Sequence, residues 1–152
     1  MYGFQTRVLL SYSELFKSSE YPKKTTTIVE RNPLSANHIF SKNALNSGSI
    51  NRVEFNTLLK MADQLTDWIP DLVIYINTPP DVCVDRINSR KRLGEELIPF
   101  ELLDNLHNLH TEYIHLVKSK GIKVHIIDGT QSVEKILGDC LKLICQHTEN
   151  FC

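Results

Sequence analysis

Two places in the 152-residue chain combine charges in a way that could do chemistry. The first is Glu30-Arg31, which follows the run Thr25–Val29 (TTTIV). β-Branched residues of that kind suit a short buried strand. An acid and a base at a strand's carboxyl end stand where open α/β sheets place their ligands. There an arginine fork grips a phosphate or hydroxyl, and a carboxylate holds a metal or takes a proton. The plainer alternative is a surface ion pair beside a turn. The second place is Arg86, Arg90, Lys91 and Arg92, followed by Glu95 and Glu96. Arg86 and Arg90 are four residues apart, so they share a helix face and can clasp one polyanion. A solvated helix end, where cations meet the negative pole of the helix dipole, is the competing explanation.

Weaker candidates surround these. Gln5 carries a donor and an acceptor side by side, the fork needed to read a nucleobase edge. Phe40 can stack on such a base. Alternatively, Phe4 and Gln5 are a buried aromatic and an exposed amide. His107, His110 and His115 share one predicted helix, but spacings of three and five do not match the helical H-E-x-x-H zinc signature. They are expected at a core edge or on the surface. Cys83, Cys140, Cys145 and Cys152 form no C-x-x-C pair, and reduced thiols are expected.

The elements that must position these groups alternate between strand and helix. Phe4–Phe16 reads as an amphipathic helix with Phe4, Val8, Tyr12 and Leu15 on one face. After the strand Thr25–Val29, Pro33 blocks pairing and a helix runs from about Leu34 to Leu45. Gly48 ends it, and Asn51 caps a further helix to about Trp68. Leu72–Ile76 (LVIYI) is continuously apolar, as in a strand buried on both faces. Thr78 is placed to cap the next helix, with Pro79 and Pro80 in its first turn. Phe100 to about Lys118 is a helix closed by Gly121, Lys123–Ile127 a strand, and Val133–Ile144 a last helix. This alternation means a single α/β domain with a parallel sheet and flanking helices.

Composition sets outer bounds. Apolar residues make up 41% and charged residues 23%, ordinary for a globular chain with a proper core. A formal net charge of −1 implies no general affinity for nucleic acid or an anionic membrane. No apolar run has the length of a membrane span, and no signal-peptide pattern opens the chain, so a cytoplasmic location is expected.

In order, the chain shows F-Q on a helix, then E-R-x-x-x-S with a phenylalanine following. L-V-I-Y-I and T-x-P-x-V come next near a basic helix, then E-E, then a helix bearing L-H-x-x-H-x-x-Y. This collinear succession resembles the deoxynucleoside kinases along nearly the whole chain. The resemblance implies a P-loop-kinase-like parallel sheet and transfer of the ATP γ-phosphate, with Mg2+, to the 5′-hydroxyl of a deoxynucleoside. It also implies a role in nucleotide salvage and DNA precursor synthesis, and a homodimer. By the same resemblance Gln5 pairs with the base, Phe40 stacks on it, and Phe4, Val8, Tyr12 and Ala36 belong to its pocket. Arg31 lies near the 5′-hydroxyl and the transferred phosphoryl, Glu30 helps to position magnesium, and Glu96 accepts from the 3′-hydroxyl. Arg86, Arg90 and Arg92 belong to a lid over the ATP phosphates, at about 86–99, and Asp128–Thr130 to the turn beside adenine. Asn88 replaces one arginine of that ladder, and Lys91 is extra. Purine-accepting relatives pair an Arg and an Asp where Tyr12 and Ala36 stand, which points to a pyrimidine substrate.

The departures are as informative. No G-x-x-x-x-G-K-[ST] phosphate loop occurs in these residues. The family's first strand, phosphate loop and second strand, with its general-base acid, are therefore expected to be missing and the N-terminus incomplete. Negligible activity is expected of this chain alone, because the phosphate loop supplies much of the positioning in phosphoryl transfer. Two other functions fit some of the same residues: a non-catalytic nucleoside-binding or subunit-pairing module, and a thymidylate kinase-like nucleotide kinase.

Overall fold

Residues 1–17, 26–65, 69–95 and 97–149 are described by the structure, a computed structural model. They fall into two units, Met1–Ile69 and Pro70–Cys152.

The first unit is helical among its described residues. Helix α1 spans Tyr2–Lys17. A single helical run then passes through α2 (Pro33–Ser35), a π-helical segment (Ala36–Ser41) and α3 (Lys42–Asn46). Gly48 has φ +71°, the left-handed geometry that stops the run and costs glycine little. Helix α4 (Arg52–Asp63) starts at Asn51, whose side chain accepts from the Glu54 N–H while the Glu54 carboxylate accepts from the Asn51 N–H. The expected end of this helix at Trp68 lies outside the described residues. Leu9, Ala44, Ile50, Leu58 and Ala62 form the core, with Tyr2, Leu45, Phe55, Met61 and Leu65 packed around them.

Two expectations fail in this unit. The face of α1 turned to the core carries Gln5 and Leu9, whereas Phe4 is 66% and Leu15 45% exposed. The helix has apolar residues on more than one side, so periodicity admits two faces, and packing against α4 and the π-helical segment selects one. Thr26–Val29 form no strand, and Ile28 and Val29 are exposed; Thr25 lies outside the described residues. β-Branched residues favour a strand only beside a neighbour that takes up their backbone groups and packs their side chains.

The π-helical segment is anchored by a buried amide. Asn37 donates through Nδ2 to the Leu58 carbonyl of α4 at 2.8 Å, and its Oδ1 accepts from Ser41 Oγ at 3.0 Å. Both residues are 1% exposed, so these bonds replace solvation that burial has removed.

The second unit is α/β. Strand β1 (Leu72–Asn77) pairs in parallel with β2 (Lys123–Asp128), Leu72 opposite Lys123 and Asn77 opposite Asp128. A parallel pair needs a long crossover, supplied by α5 (Pro80–Arg90) and α6 (Phe100–Ser119). Helix α6 packs on α5 and β2, and α7 (Val133–Glu149) packs on both strands. The core is Leu109, Tyr113, Ile114 and Val117 of α6 with Ile122 and Ile127. Thr78 does not cap α5. Pro79 holds the cap position with no side-chain bond, because the two prolines already set the helical entry.

Replacing Asn37 by alanine should lower unfolding stability by about 1–3 kcal/mol, since it strips the Leu58 carbonyl and the Ser41 hydroxyl of a partner. A urea titration of the variant beside the exposed control Asn56→Ala measures it. An equal midpoint for the two would show that the amide bridge adds nothing.

Candidate functional site

The candidate residues divide between the two units. In the first, they gather where the chain turns into α2. Asn32 and Ser35, 6% and 4% exposed, form a buried capping box. The Ser35 N–H donates to Asn32 Oδ1 at 2.8 Å, the Asn32 N–H donates to Ser35 Oγ at 3.0 Å, and the Ser35 hydroxyl donates to the Asn32 carbonyl at 2.8 Å. The chain turns sharply just before that knot, where Arg31 sits at φ +68°. A non-glycine residue in this region stores about 1–3 kcal/mol of strain and persists only where its surroundings hold it.

The turn carries the Arg31 guanidinium over the Phe40 ring, 4.4 Å from its centroid. A cation over an aromatic ring gains about 0.5–1 kcal/mol near the surface, which offsets part of that strain. Glu30 lies 3.9 Å from Arg31 Nε with its side chain 90% exposed, a pair of little energetic weight. Tyr12 senses both charges. Burial pushes its phenol above the ordinary value of 10.0, Arg31 opposes the rise and Glu30 adds to it. Ala36 is buried in the π-helical segment, and Val8 is half-buried on α1. Gln5 is 5% exposed, with Nε2 4.0 Å from Met1 Sδ, a long contact to a weak acceptor. The alternative of a buried Phe4 beside an exposed Gln5 is thus reversed.

In the second unit, the arginines of α5 take different partners. Arg86 Nη2 donates to the Gly129 carbonyl at 2.7 Å, so this arginine braces the turn after β2. Arg90 and Arg92 converge on Glu95. Asn88 is exposed, and Lys91 ends α5 in the left-handed conformation, φ +51°. Glu96 lies outside the described residues.

The turn after β2 is tightly built. The Gly129 N–H donates to the Asn77 carbonyl at 2.8 Å. A Cβ on Gly129 would collide with Thr78 Oγ1 and stand 2.8 Å from the Asn77 carbonyl oxygen, so only glycine fits. Asn77 Oδ1 is buried without a protein partner. Asp128 Oδ1 accepts from the Thr130 N–H at 2.9 Å and from its hydroxyl at 2.8 Å. Those bonds, the backbone one first, hold the Asp128 carboxyl below the usual aspartate range. His110, by contrast, stacks on Tyr75 with centroids 6.0 Å apart. Among the described residues no group of three or more His, Cys, Asp or Glu gathers to hold a metal.

The sequence model of the family described as "Deoxynucleoside kinase" matches residues 1–152. The chain belongs to the deoxynucleoside kinase family. Among curated relatives, it is 27% identical to human mitochondrial thymidine kinase 2 over 90% of this chain and 53% of that protein. It is 32% identical to the Macaca fascicularis thymidine kinase 2 over 72% of this chain and 43% of the relative. The chain therefore spans about half the length of these two kinases. A solved structure of deoxyadenosine kinase from M. mycoides with bound dCTP matches the fold at TM-score 0.78 and 19% identity, over 95% of this chain and 73% of that one.

Several residues that shape these turns escaped sequence reasoning. Ser35 was seen only as the serine of E-R-x-x-x-S, although the Asn32-Pro33-x-Ser35 pattern was a legible capping box that would have flagged Asn32 with it. Asn37, Ser41 and Gly129 carried no such local signal, since their partners are remote in sequence or lie in the backbone.

The sign of the Asp128 shift gives a direct test. Its folded-state value lies below the ordinary 3.8, so its hold on the turn is fully present above that value and fades as pH falls through the depressed one. Carboxyl NMR titration should place the Asp128 midpoint under 3.8, and Thr130→Ala, which keeps the N–H bond, should move it only part of the way back. A midpoint at or above the ordinary value would contradict the turn geometry.

Proposed function

We propose that this chain carries the acceptor side and the lid of a deoxynucleoside kinase. The reaction moves the γ-phosphoryl group of ATP to the 5′-hydroxyl of a deoxynucleoside, a pyrimidine one. The observation that carries this reading is Arg31, lodged over Phe40 by a strained turn just before the capped helical run. A base that stacks on this face of Phe40 takes the place that Arg31 holds, and the displaced guanidinium turns to the sugar end attached to it. Phe40 stacks on the base, Gln5 pairs with its edge, and Phe4, Val8, Tyr12 and Ala36 wall it. Tyr12 and Ala36 leave no charged pair for a purine. Arg31 stabilises the negative charge that develops on the transferred group. Glu96 meets the 3′-hydroxyl, Arg90 and Arg92 the ATP phosphates, and Asp128 the adenine side. Arg86 acts at one remove, through the turn it braces.

Magnesium in such kinases is held by one or two carboxylates and the substrate phosphates. The exposed, weakly paired Glu30 carboxylate fits one ligand position, and the ion would supply neutralisation of phosphate charge. Residues 1–152 act as one kinase-like domain with a lid at about 86–99, a reading supported by a single family match through both units. The protein works on free deoxynucleosides in nucleotide salvage, as a cytoplasmic homodimer. Among the described residues no helix is long and apolar enough to cross a membrane.

The 152 residues contain neither the glycine-rich phosphate loop nor the family's general-base acid, and we infer negligible turnover for this chain by itself. A second reading is a nucleoside-binding module that uses Gln5, Arg31, Phe40 and Glu96 for ligand and does not transfer phosphate. Calorimetry with thymidine and an ATP-turnover assay on the same sample separate the readings. Thymidine heat without turnover is the expected result. Turnover would sink the inactivity claim, and silence in both assays would remove the nucleoside site.

A further inference from the structure

We propose that Arg31 is a built-in competitor for the base site, a latch over the stacking face of Phe40 that must leave before a base can stack. The inference rests on the base-stacking reading above and adds what a ligand has to displace. The Arg31 guanidinium carbon lies over the Phe40 ring, 4.4 Å from its centroid. A cation at that height fills the slot in which a flat base would lie. The Glu30 carboxylate stands 3.9 Å from Arg31 Nε with its side chain 90% exposed, so water screens its pull on the guanidinium.

The two partners are held differently. Phe40 lies in the π-helical segment between Ile39 and Ser41, each 1% exposed. Ser41 Oγ is bound to Asn37, and Asn37 to the Leu58 carbonyl, so the backbone that carries the ring is tied to α4. Arg31 instead ends an exposed stretch, residues 26–31, that forms no helix or strand, and its side chain is half exposed. The guanidinium therefore swings away and the ring stays. A cation over a ring near the surface is a modest contact, so displacing it costs a ligand about two- to fivefold in affinity. Only molecules with the face uncovered bind, and the apparent affinity falls by the fraction they represent. That loss extends to a free base, which has no sugar for Arg31 to meet.

Thymine, a neutral base without sugar or phosphate, isolates the competition, because Arg31 can only obstruct it. NMR titration of the whole chain should show Arg31→Gly binding thymine about two- to fivefold more tightly than wild type. Glycine takes the φ of +68° without strain, so the turn survives the change. Arg7→Gln, which removes an exposed guanidinium from α1, should leave the thymine affinity alone. Circular dichroism checks that each variant is folded. In the wild-type spectrum the Arg31 δ-protons should lie upfield, shielded by the ring. They should return toward ordinary shifts in Phe40→Leu and on saturation with thymidine. A thymine affinity that stays equal or falls in Arg31→Gly, or δ-protons still shielded under saturating thymidine, overturns the latch and leaves the base site standing. No shift from thymine or thymidine in wild type and Arg31→Gly brings down both.

Discussion

A buried asparagine side chain must find hydrogen-bond partners within the protein, and the candidate acceptor site depends on that constraint at Asn32. Its amide oxygen, N–H and carbonyl are all satisfied by Ser35. Burial without those bonds would cost about 1–3 kcal/mol per orphaned group, so the knot has little freedom to open. Immediately before it, Arg31 takes the left-handed region, and its guanidinium lies over Phe40. Asn37 repeats the principle one turn on, fastening the π-helical segment that carries Phe40 to α4. The apolar core beneath holds the helices together, but it does not choose where Arg31 points. Directional bonds do that.

The second unit uses backbone rather than buried amides for the same purpose. Gly129 lies against Asn77 and Thr78 with no room for a side chain, and Arg86 reaches from α5 to its carbonyl. Helix α5 and the turn after β2 are therefore joined by a charge-assisted bond, stronger than a neutral one. The arginines of α5 accordingly differ in kind. Arg86 reaches a backbone carbonyl 43 residues away, whereas Arg90 and Arg92 pair with the nearby Glu95 carboxylate. Their even spacing along one helix conceals that division of labour.

Much of the architecture was legible from local signals. Helix stops at Gly48 and Gly121, the cap at Asn51 and the strands beginning at Leu72 and Lys123 follow from φ preference, capping chemistry and apolar runs. The failures share a cause. Thr26–Val29 have strand residues but no strand, since a ladder needs a second chain segment that local propensity does not report. The α1 helix was placed correctly and its buried face was not, because only the positions of α4 and the π-helical segment separate Leu9 from Leu15 as core. Glu30, Arg31 and Phe40 were recognisable by type and order, whereas the stacking of Arg31 on Phe40 required the Asn32 knot to be seen in three dimensions.

By itself, then, the sequence determined the α/β class, the position of the described helices and strands, the family and the residue types available for chemistry. Those properties reside in periodicity, capping residues and ordered motifs, all of which act over a few residues. Tertiary structure decided which face of α1 is buried, that Arg31 rests on Phe40, that Arg86 holds a turn, and that Glu95 stands between two arginines. Each of those outcomes depends on where a partner lies in space. A side chain's role is set by the nearest group able to satisfy its charge or hydrogen bonds, and for Arg86 that group is 43 residues away.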